Sequence, residues 1–262
     1  MFITFKLKTL LYALLAVVFI VVILVLIFSA GRSDSPRRAA SAEITTLESV
    51  PATMTPGTSA TGEPVLPRVG MYTLIIDAGH GGEDGGCSSA TQVEAEINLD
   101  IALRMQALAG LYGVEPVMTR ESAEIAYPAS AGSISARKVW DQKQRVELIN
   151  SIPNALLISI HQNTYPGAAP RGAQVLYAKT GGSEELAKHM QDALIASLDP
   201  ENRRVSAPIS DKIYLMKTVG CPAVLVECGF LSNPAEDALL ATAEYRLKIA
   251  AVLWNAYLQA AG

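Results

Sequence analysis

Three stretches of the chain are apolar without polar alternation: Leu74-Ile75-Ile76, Ala155-Leu156-Leu157-Ile158 and Ala223-Val224-Leu225-Val226. Short runs that are apolar toward both faces predict strands covered on both sides of a sheet. They place strands over 71–77, 155–161 and 222–227, and weaker patterns add strands over 114–119 and 173–178. Between the strands, apolar positions recur at spacings of three and four, which predicts helices over 97–111, 138–149, 184–198 and 243–260. Strands alternating with helices imply an α/β domain over 68–262, with a mostly parallel twisted sheet flanked by helices.

The N-terminal pattern is different. Residues 10–30 are Leu, Val, Ile, Ala and Phe almost without interruption and carry no charge. As a helix this run would be roughly 31 Å long, enough to cross a bilayer core. A secretory signal usually has an apolar region of about 7–15 residues and a small-x-small cleavage site. The run here is longer, and Phe28 puts a bulky side chain where a small one is needed. The expectation is therefore a transmembrane anchor over 10–30 that precedes the domain. Residues 1–9, with Lys6 and Lys8, would be cytoplasmic and the domain would lie outside the membrane, or be secreted if the segment is cleaved. Residues 31–67 are rich in Ser, Thr, Ala and Pro with no apolar period, and read as a disordered tether.

Composition narrows the function classes. A net charge of −4 and a pI near 5.5 give no basis for a nucleic-acid partner. Cys87, Cys221 and Cys228 cannot all pair within one chain and show no CxxC spacing, so neither a disulfide framework nor a thiolate metal site is indicated. Cys228 reads as a small buried hydrophobe.

The chemistry concentrates at the strand ends. His80 follows Asp77-Ala78-Gly79, His161 ends the strand 155–161, and Glu227 ends the strand 222–227. In open α/β sheets, ligands gather at the carboxyl ends of the strands. Together with Glu94 at the start of a helix, these residues supply two imidazoles and one carboxylate, a known catalytic zinc ligand set. Glu227 is then left to act as acid and base. Asp77 is a candidate acceptor for a ligand imidazole. Taken singly, each residue has a plainer reading. Either histidine could be a satisfied polar residue after a strand, and Glu94 a first-turn carboxylate favoured by the helix dipole. Glu227 resists the plain reading, because a carboxylate ending an apolar run is costly unless paired or functional. His189, among Lys188, Gln191 and Asp192, reads as solvated.

The order and spacing of these pieces resemble the zinc-dependent N-acetylmuramoyl-L-alanine amidases of bacterial cell walls. The likeness rests on Ile75 to Gly82, on Glu94 with Asn98-Leu99, on Met118-Thr119-Arg120, on Ser159 to Asn163, and on Ala223 to Asn233. It implies His80, Glu94 and His161 as Zn²⁺ ligands and Glu227 as the catalytic glutamate. It also implies peptidoglycan as substrate, cut between N-acetylmuramic acid and L-alanine. Gln144 to Asn150, Ile213 to Met216 and Phe230 to Pro234 look like the germination-specific spore-cortex branch, where the reaction leads to muramic-δ-lactam. Ala78 and Ala95 depart from the residues common at their positions without removing a ligand. The rival readings are a zinc peptidase acting within stem peptides, and a non-catalytic membrane-tethered wall-binding homologue. An activating protein partner is compatible with all three.

Overall fold

The computed structural model of the protein describes residues 72–261. The segments expected as cytoplasmic N-terminus (1–9), anchor (10–30) and tether (31–67) lie outside the described residues. The expected fold preceded by a transmembrane helix is corrected. Among the described residues no helix is long and apolar enough to cross a membrane. The long helices carry charges along their length, such as Glu96, Asp100 and Arg104 on the first, which hydrocarbon would leave unsolvated. The membrane as partner and the membrane-anchored location are withdrawn with it.

Six strands form one sheet: β1 (Thr73–Ala78), β2 (Val117–Met118), β3 (Ala155–Asn163), β4 (Gln174–Tyr177), β5 (Ala207–Pro208) and β6 (Ala223–Phe230). Their order is β2-β1-β3-β6-β4-β5. The pairs β1/β2, β1/β3, β3/β6 and β4/β5 are parallel, and β4/β6 is antiparallel, so the sheet is mixed and mostly parallel. Its helices are α1 (Glu94–Leu111), α2 (Ile134–Ser151), α3 (Ser183–Leu198), α4 (Tyr214–Thr218), α5 (Pro234–Leu240) and α6 (Ala243–Ala261).

The two-residue period of the central strands assigns their side chains to two cores. Ile76, Ile158, Ile160, Val224 and Val226 face α1, α3 and α6. Ile75, Leu157 and Leu225 face Val146 and Ile149 of α2 and Leu215 and Met216 of α4. The first face is covered along its length by three long helices. The second is covered by one long helix and one five-residue helix, and it is on this face that Asp77, Ser159, His161 and Glu227 continue the alternation.

Several elements differ from the sequence pattern. α2 begins at Ile134 rather than 138, because the Ser133 hydroxyl accepts the Ala136 N–H and caps it there. α5 is opened by Asn233 as cap and Pro234 in the first turn, a local signal that hydrophobic period alone does not register. α4 and β5, at five and two residues, are too short to show a period. Val139, one of the apolar positions of the helix expected over 138–149, is 52% exposed and lines a cavity.

Candidate metal centre

At Ala78 the first strand ends and the chain turns through Gly79 into His80, whose φ of +61° lies in the left-handed region. A non-glycine residue holds that conformation only where its surroundings enforce it. Two buried arginines do so. Arg145 donates to the Ala78 carbonyl at 2.8 Å and the His80 carbonyl at 2.6 Å, and its Nη1 meets Asp77 Oδ1 at 2.8 Å. Arg120 donates to the carbonyls of Ala78 at 2.9 Å, Gly79 at 3.1 Å and Ala95 at 2.7 Å, tying the strand end to the first turn of α1. A guanidinium suits this task because its planar fork presents five donors in fixed directions.

Glu94 is the first residue of α1. Its backbone N–H and that of Ala95 reach the carbonyls of Cys87 at 2.9 Å and Gly85 at 3.1 Å, so the 85–87 loop caps the helix in place of a side chain. The same loop orients the carboxylate: Cys87 N–H donates to Glu94 Oε2 at 2.8 Å, and Gln162 N–H from β3 donates to Oε1 at 3.0 Å. His161 projects from β3 beneath Gly79. A Cβ at Gly79 would run into its imidazole, so glycine is required for this approach.

The three side chains converge. His161 Nδ1 is 3.0 Å and His80 Nε2 is 3.3 Å from Glu94 Oε1. The imidazole centroids are 4.9 Å apart at 75°, and all three donor atoms lie within 4.8 Å of one another. His80 Nδ1 meets Asp84 Oδ2 at 2.9 Å, which fixes the ring with Nε2 toward the cluster. Gly86 keeps the space beside it open, since a Cβ there would come within 2.5 Å of Glu94 Oε2 and 2.8 Å of His80 Cδ2. Two imidazole nitrogens and one carboxylate oxygen, converging in a cradle kept clear by glycine, fit a metal ion with three protein ligands.

The local charge favours a cation. Burial by itself would lower the pKa of His80, but hydrogen bonds and charge from Asp84 and Glu94 outweigh it and raise the group to about 9. Burial would raise Glu94, yet His161 and His80 hold its carboxyl well below the usual range. The fourth predicted residue, Glu227, lies directly across the parallel pair from His161. Its Oε2 is buried with no hydrogen-bond partner among the described residues, and burial pushes its pKa above the ordinary 4.5. Glu227 lines the same cavity, of about 600 Å³, as His80, Glu94 and His161.

Three details correct the sequence reading. Asp77 does not reach an imidazole; Arg145, Thr119 at 2.7 Å and Ser159 at 2.5 Å take its oxygens, and Asp84 serves His80 instead. The strands do not stop at His161 and Glu227: β3 runs to Asn163 and β6 to Phe230, with a register shift after His161. His189 is half-buried with an unpartnered Nε2 among the described residues, and it takes no part in the cluster. Arg120, Arg145 and Asp84 were given no role by sequence reasoning. Arg145 was the discoverable one, since it falls beside Val146 and four residues before Ile149 on the apolar stripe of α2.

Sequence and fold are both shared with known amidases. The N-acetylmuramoyl-L-alanine amidase family matches residues 74–258. The germination-specific N-acetylmuramoyl-L-alanine amidase of Bacillus subtilis (strain 168) is 38% identical over 195 residues, 74% of this chain and 81% of that protein. Among solved structures, the CwlD amidase from Clostridioides difficile, in complex with the GerS lipoprotein, superimposes with a TM-score of 0.69 at 35% identity, covering 72% of this chain and 98% of that one. An N-acetylmuramoyl-L-alanine amidase from Clostridium difficile 630 gives 0.62 at 27% identity, covering 72% and 95%.

Proposed function

Because the chain belongs to the N-acetylmuramoyl-L-alanine amidase family, we propose that it is a zinc-dependent hydrolase that cuts the amide between N-acetylmuramic acid and the L-alanine of the peptidoglycan stem peptide. The observation that carries the reading is the convergence of His80, Glu94 and His161 beside the unpartnered buried oxygen of Glu227. His80 Nε2, His161 Nδ1 and Glu94 would hold Zn²⁺. Bound there, the ion supplies Lewis acidity that polarises the amide carbonyl and makes water acidic enough to react near neutral pH.

The remaining chemistry belongs to the chain. Glu227 Oε2 has no hydrogen-bond partner among the described residues, so it is available to take a proton from the attacking water. Its raised pKa makes it a stronger base than an exposed glutamate and lets it return that proton to the departing nitrogen. The carbon–nitrogen bond breaks, leaving a carboxylate on the lactyl group of muramic acid and a free amine on L-alanine. A role in the spore cortex, on the route to muramic-δ-lactam, is supported by the likeness to the germination-specific B. subtilis enzyme. An accessory protein partner is part of the proposal, supported by the C. difficile relative having been solved with a lipoprotein.

The test is metal analysis and product analysis on the purified full-length protein. One zinc per chain and new N-terminal L-alanine released from peptidoglycan are expected. Glu227→Gln is expected to keep the metal and lose at least about 100-fold in kcat. Cleavage confined to bonds within the stem peptide would replace the amidase reading with a peptidase.

A further inference from the structure

The cavity holding the cluster, at about 600 Å³, is larger than a metal ion and one amide require. Its floor carries every carboxylate that lines it: Asp77, Glu94 and Glu227. Its walls come from α2 and from the segment leading into α4, and on a chain of net charge −4 they contribute three lysines and no acid. Lys138 is engaged by Asp84 at 2.9 Å. Lys143 and Lys212 are exposed and form no ion pair among the described residues. Their acidic neighbours in sequence are engaged elsewhere, Asp141 by Arg145 at 2.9 Å, Asp211 by Lys179 at 2.8 Å, and Glu147, one turn after Lys143, by the Gln144 amide at 3.1 Å. Two uncompensated ammonium groups therefore flank the approach to the cluster, one on each wall.

Apolar side chains accompany them. Val139, Ile213 and Tyr214 line the same walls while remaining 52%, 41% and 44% exposed. Exposed apolar groups beside unpaired cations complement a ligand that is partly apolar and carries carboxylates. A neutral sugar has no use for two ammonium groups. An acidic peptide uses both features.

We propose that Lys143 and Lys212 form a carboxylate-reading subsite, which holds the acidic stem peptide on the leaving-group side of the scissile amide. This rests on the amidase reading above. The ligand class is a short peptide whose second residue bears a free α-carboxylate, as D-glutamate does when it is linked through its side chain. Amidation of that carboxylate to D-isoglutamine removes the charge and keeps the shape. The lysines thus distinguish the two forms of the same substrate.

The test uses the full-length protein and two soluble peptidoglycan fragments of equal glycan length, one with D-glutamate and one with D-isoglutamine at the second stem position. Lys143→Met and Lys212→Met remove charge and keep the aliphatic stem. Each is expected to raise KM for the D-glutamate fragment about five-fold, and the pair together roughly twenty-fold, with kcat held within about two-fold. KM for the D-isoglutamine fragment is expected to change less than about two-fold. Lys143→Arg and Lys212→Arg should restore the preference, and Lys188→Met, on the outer face of α3 where Lys188 pairs with Asp192, should change nothing. Equal effects on both fragments, or none on either, would overturn the subsite while leaving the amidase reading intact. A wild-type protein that cleaves neither fragment removes the amidase reading and the subsite with it.

Discussion

Gly79 and His161 occupy space that only one of them can claim. Because a Cβ at Gly79 would meet the imidazole ring, Gly79→Ala is expected to displace His161 and weaken zinc binding roughly 10–100-fold, with little change in far-UV circular dichroism. Competition with a chelating dye measures it. Asp77 acts on stability instead. Burial would raise its pKa, but the Arg145 guanidinium and the hydroxyls of Ser159 and Thr119 hold it below the ordinary 3.8. A group depressed on folding stabilises the protein fully above its unfolded pKa, and the contribution is lost as pH falls through the folded value. Wild type should therefore lose stability below about pH 4. Asp77→Asn, which leaves Asp141 as the remaining carboxylate paired with the buried Arg145, should be destabilised by about 2–3 kcal/mol near neutrality and show a flatter profile in acid. Thermal melts between pH 2.5 and 6 would check both.

Among the elements, α1 and the strand end of β1 are held in register by Arg120, whose fork spans three carbonyls from two segments. Lysine keeps the charge but cannot span them. Arg120→Lys is expected to cost about 2–3 kcal/mol in denaturant unfolding and to weaken metal binding, because Glu94 and His80 sit on the two segments it joins. The N-cap of α2 gives the contrast. Ser133→Ala removes the bond to the Ala136 N–H and should cost about 1 kcal/mol while leaving metal affinity unchanged. Parallel urea titrations and zinc titrations separate the two cases.

For the whole molecule, a metal that binds only the folded chain stabilises it by mass action. At free zinc 100-fold above its Kd, the gain is about 2.7 kcal/mol, and chelation should lower Tm by roughly 5–10 °C. The sheet and its two cores do not depend on the ion, so the chelated protein should still unfold in one cooperative transition. A chelated protein without near-ultraviolet dichroism would show that the metal holds the fold itself.

Much of this was legible in the residues. The runs at 74–76, 155–158 and 223–226 specify buried strands, because stretches apolar on both sides that are this short and rich in Val, Ile and Leu suit a covered strand better than a buried helix. The ends of these strands offered His161 and Glu227, and loop and helix starts offered His80 and Glu94. Other features depended on tertiary structure. Asp84, not Asp77, meets His80 because the backbone at His80 turns left-handed and swings the ring toward its own loop. Arg145 and Arg120 enforce that turn from far along the chain, 65 residues after His80 and 42 after Ala78. Local periodicity assigns a side chain to a face. Which of two nearby carboxylates an imidazole meets, and which cations stay unpaired along a cavity wall, is decided by how separate elements pack.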